Sequence, residues 1–440
     1  MKKTKLVTLA LTVATILLGY SVSTAATYTE YEMYVKRPSN FAGNTYYTGA
    51  KYEPVTGAYL GLFAEGDRAV HDWNADSWGW YFTNVPKFMG KDHAMYMLYM
   101  PYSYDFNHYK SHYAEAKRLG KGMQICIEPQ NGLDEVQNDE KLLEMAQDAR
   151  DTDIPIFLRF ANEFNDNANA WHKDGPQKYI EKFRLVADIM HKNAPNVVMC
   201  WCPNDWPIAS EHAYYPGDQY VDWVGVSSYP PYNSSKQPWQ GNTWLDRFRE
   251  VYDSYSAKKP IYISEGAPMA NAERAYNVDT TDLAKREISR FYASAKKKYP
   301  RLKAIFYWDN NQELGAGNIR HYKLSDNPPT LSAYKNAIKD EYYLSSMNTQ
   351  SKNYYQLIKS VKMNPNKEVV TSLVNDVKND ISKVDYYING KFAGQGTFPE
   401  YDASVDFTNF KGKSITLSAD YFNSVGKKVK NISYKIQVKN

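Results

Sequence analysis

This sequence of 440 residues contains few cysteines and has a small net charge, and each of these two features argues against a class of function. The three cysteines, Cys126, Cys200 and Cys202, lie inside apolar strand-like runs. We therefore expect buried thiols, with neither a disulfide nor a metal site. The formal charge of +4 falls to +1 without the three lysines of the first 26 residues. A chain so close to neutral lacks the basic surface of a nucleic-acid-binding protein, so we expect no nucleic acid partner.

Apolar runs of membrane length are also missing beyond the N-terminus. There a basic head at Lys2–Lys5 precedes an apolar run, Leu6–Leu18, and a small-residue segment that ends at Ala26. This layout is typical of a secretory signal peptide, and its apolar run is short for a membrane span. We predict a signal peptide over residues 1–26 and a secreted mature protein without a membrane span.

The sequence does contain a regular alternation of strand-like and helix-like segments. Eight apolar runs resemble buried strands, at residues 57–63, 93–100, 122–129, 154–161, 196–203, 221–229, 260–265 and 302–308. Helical patterns occur at residues 111–119, 139–151, 177–193, 245–256, 281–299 and 331–344. Such alternation predicts an α/β fold with a parallel sheet, and eight strands predict a closed (β/α)8 TIM barrel. A doubly wound open sheet is the alternative, but no glycine-rich phosphate loop follows any strand.

The composition changes near Asn348 and predicts a second domain. We assign residues 27–347 to the barrel, 348–367 to a polar linker and 368–440 to a small all-β module. Alternating apolar and polar residues with turns at Asn389-Gly390 and Lys411-Gly412 support the strands of this module. The stretches VDYYINGKFAG and TNFKGKSITLSADYF resemble bacterial immunoglobulin-like domains, which implies an immunoglobulin-like β-sandwich.

Two of the predicted strands end on a glutamate. The fourth, IPIFLRFANEFN, ends in Glu163, and the seventh, KPIYISEGAP, ends in Glu265. A TIM barrel presents its catalytic groups at the C-terminal ends of its strands, and hydrolysis of a glycosidic bond needs two carboxylates. Glu163 and Glu265 are therefore the candidate catalytic pair. Position at a strand end leaves Glu128 and Asp309 open for one of the two roles.

Asn162-Glu163 and Glu265, at the ends of the fourth and seventh strands, resemble the large clan of retaining glycoside hydrolases built on this barrel. In that clan the fourth-strand glutamate is the acid/base and the seventh-strand glutamate is the nucleophile. LRFANEFN with the following Trp171, VVMCWCPN, YYPGDQYVDWVGVSSY and KPIYISEGAP are similar to glycoside hydrolase family 26, which includes β-mannanases. That family usually has His before its acid/base, whereas Asn162 is the residue of the wider clan.

Polar and aromatic residues at or near the strand ends are candidate substrate contacts: Arg159, Asn162, Trp171, Asn204, Tyr229 and Trp308. The resemblance implies that Asn162 binds the sugar 2-hydroxyl, that Tyr229 hydrogen-bonds Glu265 and that Trp308 forms an apolar floor. All ten tryptophans lie between Trp73 and Trp308, and indole rings near strand ends are suited to stacking on sugars.

These features together predict a monomeric, endo-acting retaining β-glycoside hydrolase that acts on a polysaccharide and needs no cofactor or metal. The family 26 resemblance makes β-1,4-mannan the first substrate to consider, with β-glucan, xylan or an exopolysaccharide as alternatives. A non-catalytic secreted carbohydrate-binding protein is the alternative of another class, but binding alone needs no pair of glutamates.

Metal-dependent hydrolysis is a further alternative, because His108 and His112 are four residues apart, a spacing found in metal sites. However, no Glu follows His108 in the zinc-protease pattern, and no strand carries a His-x-His pair. We interpret the two histidines as exposed residues on one helix face.

Overall fold

The computed structural model describes residues 28–39, 46–71, 81–206, 208–230, 232, 242–272, 278–313 and 319–440. The signal peptide predicted over residues 1–26 lies outside them, as do Trp73, Trp78, Trp80 and Trp239. The helices are α1 (Tyr81–Met89), α2 (Lys110–Leu119), α3 (Glu140–Asp151), α4 (Gly175–Asn193), α5 (Trp244–Arg247), α6 (Arg249–Tyr255), α7 (Thr281–Lys298) and α8 (Pro328–Ile338). None of these helices has the length and apolar character needed to cross a membrane.

The strands of the first three hundred or so residues are β1 (Glu30–Pro38), β2 (Ala58–Phe63), β3 (Met95–Pro101), β4 (Gly122–Glu128), β5 (Ile156–Phe160), β6 (Val197–Trp201), β7 (Trp223–Ser227), β8 (Ile261–Gly266), β9 (Asn271–Ala272), β10 (Val278–Asp279) and β11 (Leu302–Trp308). The later strands are β12 (Asn311–Glu313), β13 (Ile319–His321), β14 (Tyr343–Leu344), β15 (Asn353–Leu357), β16 (Lys367–Asn375), β17 (Ile381–Ile388), β18 (Lys391–Thr397), β19 (Ala403–Asp406), β20 (Ser414–Asn423) and β21 (Lys428–Gln437).

Eight parallel strands close into a barrel in the order β2-β3-β4-β5-β6-β7-β8-β11. Closure comes from the pairing of β11 with β2, in a register that runs from Ala304 opposite Tyr59 to Trp308 opposite Phe63. The short β14 adds to the outer edge of β2. The predicted TIM barrel is confirmed, and the C-terminal ends of its strands all meet at one face, where such barrels hold their active sites.

Alternate residues of each barrel strand face the interior and the surrounding helices. On β3, Met95 and Met97 pack in the interior cluster, whereas Leu98 packs in the outer layer. The interior is tightly filled, since a Cβ built on Gly61 would lie 2.4 Å from the ring of Phe306. The interior cluster also contains the cysteines, which are buried and free as predicted: Cys126, Cys200 and Cys202.

The helix pattern differs from the predicted one in three places. Helix α1 was not predicted. The segment expected as one helix over 245–256 is broken at Phe248, whose backbone leaves the helical region while its ring is fully buried. The helix expected over 331–344 ends at Ile338, and Tyr343–Leu344 is a strand because it completes the edge of β2.

The C-terminal residues form two antiparallel four-stranded sheets, in the orders β15-β1-β16-β19 and β18-β17-β20-β21. The two sheets share one apolar core, to which Val35, Val370, Tyr386 and Leu417 belong. The all-β module is confirmed as a β-sandwich, whereas its immunoglobulin-like character stays a prediction.

The sandwich reaches further along the chain than the sequence indicated. Residues 30–38, which the sequence analysis assigned to the barrel, form β1 in the middle of a sandwich sheet. Residues 353–357, expected in a linker, form β15 beside it. The physical reason is pairing: β1 is bonded on both edges, by β15 and β16, so an N-terminal segment without clear periodicity is ordered by distant strands.

Buried charges connect the sandwich to helix α7 of the barrel. Lys296 and Lys297 are 2% and 3% exposed. Lys296 bonds to Asp340 and, at 2.9 Å, to Glu400 of the sandwich, whereas Lys297 donates to the Ser372 carbonyl at 3.1 Å. A lysine buried to this degree is costly without its partners, so the two domains are poor candidates for separation.

Candidate active site

Glu163 lies at the C-terminal end of the barrel on a backbone that the adjacent strand end holds in place. Its φ is +52°, in the left-handed region that non-glycine residues rarely adopt. The Glu163 N–H donates to the Cys202 carbonyl at 2.8 Å, and its carbonyl accepts from Asn169 Nδ2 at 2.9 Å. These bonds fix an unusual turn directly after β5, a feature found at functional sites.

Glu265 lies near the end of β8 and is held by three side-chain donors. Tyr99 Oη donates to Glu265 Oε2 at 2.5 Å, and Arg159 Nη1 donates to the same oxygen at 2.7 Å. Tyr229 Oη donates to Oε1 at 3.1 Å, as the sequence had suggested. Donors on both oxygens favour an ionised and fixed carboxylate.

Arg159 is fully buried beneath Glu265, and not in the cavity that could hold a substrate. Its Nη2 donates to Ser227 Oγ at 2.9 Å, so the guanidinium is fixed from β7 as well as from β8. The sequence-based grouping of Arg159 with the substrate contacts is therefore corrected: Arg159 contacts the carboxylate of Glu265. An arginine in the interior of a barrel needs a partner anion, and Glu265 supplies it.

The two glutamates have opposite pKa shifts. Removal from water, aided by the charge of Glu265, raises the pKa of Glu163 to about 8. Burial also acts to raise the pKa of Glu265, but the charge and hydrogen bond of Arg159 and the bond from Tyr99 bring that pKa below its ordinary value. A side-chain hydrogen bond between the two carboxyl groups acts in the same directions. One carboxyl group thus holds a proton at neutral pH while the other is ionised.

An open cavity of about 500 Å³ contains both glutamates. Its lining combines carboxylates, amides, arginines and aromatic rings: Glu163, Asp166, Asn204, Asp205, Trp206, Tyr229, Arg247, Glu265, Trp308, Gln312, Arg320 and Tyr322. Three of the candidate substrate contacts, Asn204, Tyr229 and Trp308, are among them. Polar groups between aromatic rings suit a sugar, whose rings have apolar faces and hydroxyl edges.

Two other candidate contacts, Asn162 and Trp171, are not among the residues that line the cavity. Asn162 is 5% exposed, and its Oδ1 has no hydrogen-bond partner among the described residues. The expectation that Trp171 contacts the substrate is corrected, because Trp171 is buried in the core, where its indole N–H donates to the Asn162 carbonyl at 2.8 Å. A buried indole N–H needs an acceptor, so Trp171 supports the turn that carries Glu163 and is not positioned to stack on a sugar.

Aromatic residues of the cavity differ in exposure. Trp206 is 60% exposed at the rim. Trp308 is stacked on Phe63 with the ring centroids 6.0 Å apart, and the ring of Tyr229 meets it edge-on at 6.0 Å. Trp308 is thus fixed by its neighbours, whereas Trp206 presents a free face to whatever enters the cavity.

The structure distinguishes the catalytic pair from the two other carboxylates, Glu128 and Asp309, that the sequence allowed for one of the two roles. Asp309 is fully buried outside the cavity, and its Oδ1 accepts from the Leu324 N–H at 2.6 Å. Burial, together with the nearby Asp67, raises the pKa of Asp309 far above its ordinary value. Glu128 also lies outside the cavity lining, and burial raises its pKa. Of the four candidates, Glu163 and Glu265 are the pair that shares a cavity.

The histidine pair does not form a metal site. His108 is exposed in a 3-10 turn, but His112 is buried, 3.6 Å from Glu65 through its Nε2, which corrects the expectation of two exposed histidines on one face. The described residues include no group of three or more His, Cys, Asp or Glu side chains placed to hold a metal.

Sequence reasoning missed Tyr99, Ser227 and the far wall of the cavity. Tyr99 could have been found, because it follows Met95 and Met97 on the interior face of β3 and lies near the C-terminal end of that strand. The far wall could not: Gln312 and Arg320 are on the hairpin β12–β13, whose strands are only three residues long. Such short strands leave no periodicity to detect.

Comparisons with known proteins agree with this geometry. Residues 131–263 match the model of glycosyl hydrolase family 26. Endoglucanase H of Acetivibrio thermocellus is 29% identical over 214 residues, which are 46% of this chain and 22% of that protein. A beta-1,3-xylanase of Alcaligenes sp is 29% identical over 145 residues, which are 31% of this chain and 28% of that protein. This chain thus spans about a quarter of the length of these relatives.

Solved structures of similar shape include a Cellulomonas fimi endo-beta-1,4-mannanase double mutant, with a TM-score of 0.48 at 13% identity, covering 88% of this chain and 98% of that one. GH26C from Muricauda sp. MAR_2010_75 has a TM-score of 0.49 at 14% identity, covering 69% of this chain and 94% of that one. The family match extends from the loop after β4 into β8 and includes Glu163 and its turn. Over residues 131–263, the barrel of this chain is thus similar to glycosyl hydrolase family 26.

Proposed function

We propose that this chain is an endo-acting retaining β-glycoside hydrolase with Glu163 as acid/base and Glu265 as nucleophile. The observation that carries the proposal is one cavity that holds two glutamates in different surroundings: three side-chain donors bind Glu265, whereas burial and the nearby Glu265 raise the pKa of Glu163. The glycosidic oxygen needs a protonated carboxyl group as its acid in order to leave, and the anomeric carbon needs an ionised carboxylate as its nucleophile.

In the first step, Glu265 attacks the anomeric carbon, the glycosidic bond breaks, and the Glu163 proton passes to the leaving oxygen. Esterification removes the charge of Glu265, which is one of the causes that raise the pKa of Glu163. Glu163, now a carboxylate, takes a proton from water in the second step. That water attacks the anomeric carbon and releases Glu265, so the configuration is retained.

The direct side-chain interaction between the carboxyl groups supports retention over inversion. Inverting enzymes hold the two groups roughly 6.5–9.5 Å apart to admit a water molecule between them. Asn162 adds support, because its unpartnered Oδ1 can accept a hydrogen bond from a sugar hydroxyl next to Glu163. Product NMR that finds an inverted anomeric configuration would refute the role of Glu265.

The exposed Trp206 at the rim of the cavity supports endo action, since its free face could bind further sugars of a chain whose bond is cleaved at the two glutamates. The named relatives are an endoglucanase and beta-1,3-xylanases, so we rank β-glucan and β-1,3-xylan beside the β-1,4-mannan that the family resemblance suggested. Export by the predicted signal peptide fits such a substrate, because a polysaccharide is met outside the cell. We propose that the secreted protein acts as a monomer.

The test is a time course on β-1,4-mannan, mixed-linkage β-glucan, β-1,3-xylan and β-1,4-xylan, following viscosity and reducing ends together. Endo action lowers viscosity early, while few reducing ends have formed. A single mono- or disaccharide product with unchanged viscosity would refute endo action. A matched Glu265→Gln variant must be inactive. If neither protein cuts any substrate but both bind one, the non-catalytic carbohydrate-binding function becomes the better account.

A further inference from the structure

The sandwich contacts one short segment of the barrel that also forms part of the cavity wall. This segment, residues 243–249, contains α5 and the first residue of α6, and follows β7 at the active face. Its Arg247 lines the cavity and binds Asp205, with Nε 2.9 Å from Oδ2 and Nη2 bonded to Oδ1. A two-point pair of this kind has a defined geometry, so the position of Arg247 determines that of the Asp205 carboxylate.

Asn375, the last residue of β16 in the sandwich, binds the start of this segment. Asn375 is 1% exposed, and its Oδ1 accepts from Thr243 Oγ1 at 2.9 Å while its Nδ2 donates to Asp246 Oδ1 at 2.8 Å. Thr243 and Asp246 form the capping box of α5, in which Asp246 Oδ2 accepts from the Thr243 N–H at 3.0 Å. The sandwich therefore supplies the outer contacts of the cap from which Arg247 extends.

A second contact holds the other end of the segment. Arg249 donates with both terminal nitrogens to Glu30 of β1, at 3.1 Å each, and with Nη2 to Asp246 at 3.1 Å. Lys298 also binds Glu30, at 2.9 Å. Arg247 thus lies between two residues, Asp246 and Arg249, that are both held by sandwich strands.

The remaining sides of the segment leave little freedom of movement. Trp244 is fully buried, and its ring is stacked on Phe291 of α7 at a centroid distance of 4.1 Å. The backbone N–H of Trp244 donates to Glu287 at 2.8 Å. A four-residue helix has no stability of its own, so its position depends on these tertiary contacts. The sandwich contacts are the ones that reach the capping residues.

We infer that Asn375 is a positioning residue for the substrate cleft: the sandwich holds the Arg247–Asp205 wall in the geometry that binds the sugar chain. This inference rests on the proposed function for its activity readout.

The test compares Asn375→Leu with a matched control from the same strand, Ser372→Ala. Leu has the same number of side-chain heavy atoms and the same branching at Cγ as Asn, and it removes both hydrogen bonds. Ser372 is equally buried, but its hydroxyl bonds inside the sandwich to Tyr386 and Tyr421, at 2.9 and 3.0 Å. We expect Asn375→Leu to raise KM on the polysaccharide by about tenfold with a smaller change in kcat, since a hydrogen bond to a charged group is lost. Ser372→Ala should lower thermal stability without changing KM.

A double-mutant cycle separates positioning from general loss of stability. In an Arg247→Gln background the wall is already lost, so Asn375→Leu should cause little further rise in KM. Equal effects in both backgrounds, or equal KM changes in Asn375→Leu and Ser372→Ala, would overturn the inference.

Amide hydrogen exchange of residues 205 and 243–249 gives a readout independent of catalysis. It should rise in Asn375→Leu and not in Ser372→Ala, even if the wild type hydrolyses no tested polysaccharide.

Discussion

Tyr99→Phe gives the sharpest test of the roles assigned to the two glutamates. The change removes one hydroxyl, which donates to Glu265 Oε2 at 2.5 Å, and leaves the ring in its edge-on contact with Phe63. A hydrogen bond to a charged group contributes about 1.5–3 kcal/mol. Since one pKa unit corresponds to about 1.4 kcal/mol, we expect the pKa of Glu265 to rise by about 1–2 units.

The direction of the pH effect follows from the role of Glu265. A nucleophile must be ionised, so activity falls as pH drops below its pKa. Raising that pKa moves the acid limb of the kcat/KM profile to higher pH by the same ~1–2 units. The alkaline limb, which reports the proton of Glu163 with its pKa of about 8, should stay in place, because the charge that Glu265 presents to Glu163 at that pH is unchanged.

The assay is kcat/KM between pH 3 and 10 on the best substrate of the panel, with Tyr109→Phe as the control. Tyr109 Oη donates to the Tyr99 carbonyl at 3.0 Å, so this variant removes a nearby hydroxyl without touching Glu265. An acid limb that stays in place in Tyr99→Phe, or one that moves equally in Tyr109→Phe, would refute the assignment of Glu265.

Three further predictions concern Glu163, Glu265 and Trp206. With an activated aryl glycoside, Glu163→Ala should keep measurable turnover and be accelerated by azide, since the leaving group needs no acid and azide needs no base. Glu265→Ala should not follow this pattern: it should have no turnover without azide, and any glycosyl azide that it forms should have the inverted configuration. The pKa of Glu163 is about 8 in the folded protein, against an ordinary value of 4.5. Between these two pH values the folded protein keeps a proton that the unfolded chain has released, so the free energy of unfolding falls as pH rises across this range. Glu163→Gln should therefore have the same free energy of unfolding as the wild type at pH 4.5, and a free energy of unfolding higher by up to a few kcal/mol at pH 9. Equal stability of the two proteins at both pH values would refute the raised pKa. Trp206→Ala should raise KM on a polysaccharide several-fold while leaving an aryl monoglycoside unaffected, and an equal change on both substrates would refute a role in binding the chain.

The barrel was predictable because its signals are local and repeated. Each strand is an apolar run of five to seven residues, and six of the eight are followed by a helical pattern, so the eight strands and their order could be found without the structure. Glu163 and Glu265 could be found for the same reason, since each ends such a run.

The partners of these glutamates were harder to predict, because they depend on contacts between distant segments. Arg159 and Glu265 are 106 residues apart, and Tyr99 and Glu265 are 166 apart. In the sequence, Arg159 lies near a strand end, three residues before Asn162, and was therefore interpreted as a substrate contact. Only the pairing of β4 with β5, and of β7 with β8, shows that its side chain turns inward beneath Glu265.

The same limitation applies to the domain boundary. The segment of β1 is Tyr-rich and shows no period of its own, and its central place in a sandwich sheet is determined by β15 and β16 more than three hundred residues later. Because β1 carries Glu30, this distant pairing also delivers the anion that binds Arg249 beside the cavity wall. A chain whose first strand and last domain close around one another cannot be divided at a linker without exposing buried charge on the barrel. Sandwich and barrel are thus better regarded as one unit, in which the second domain supports the cleft of the first.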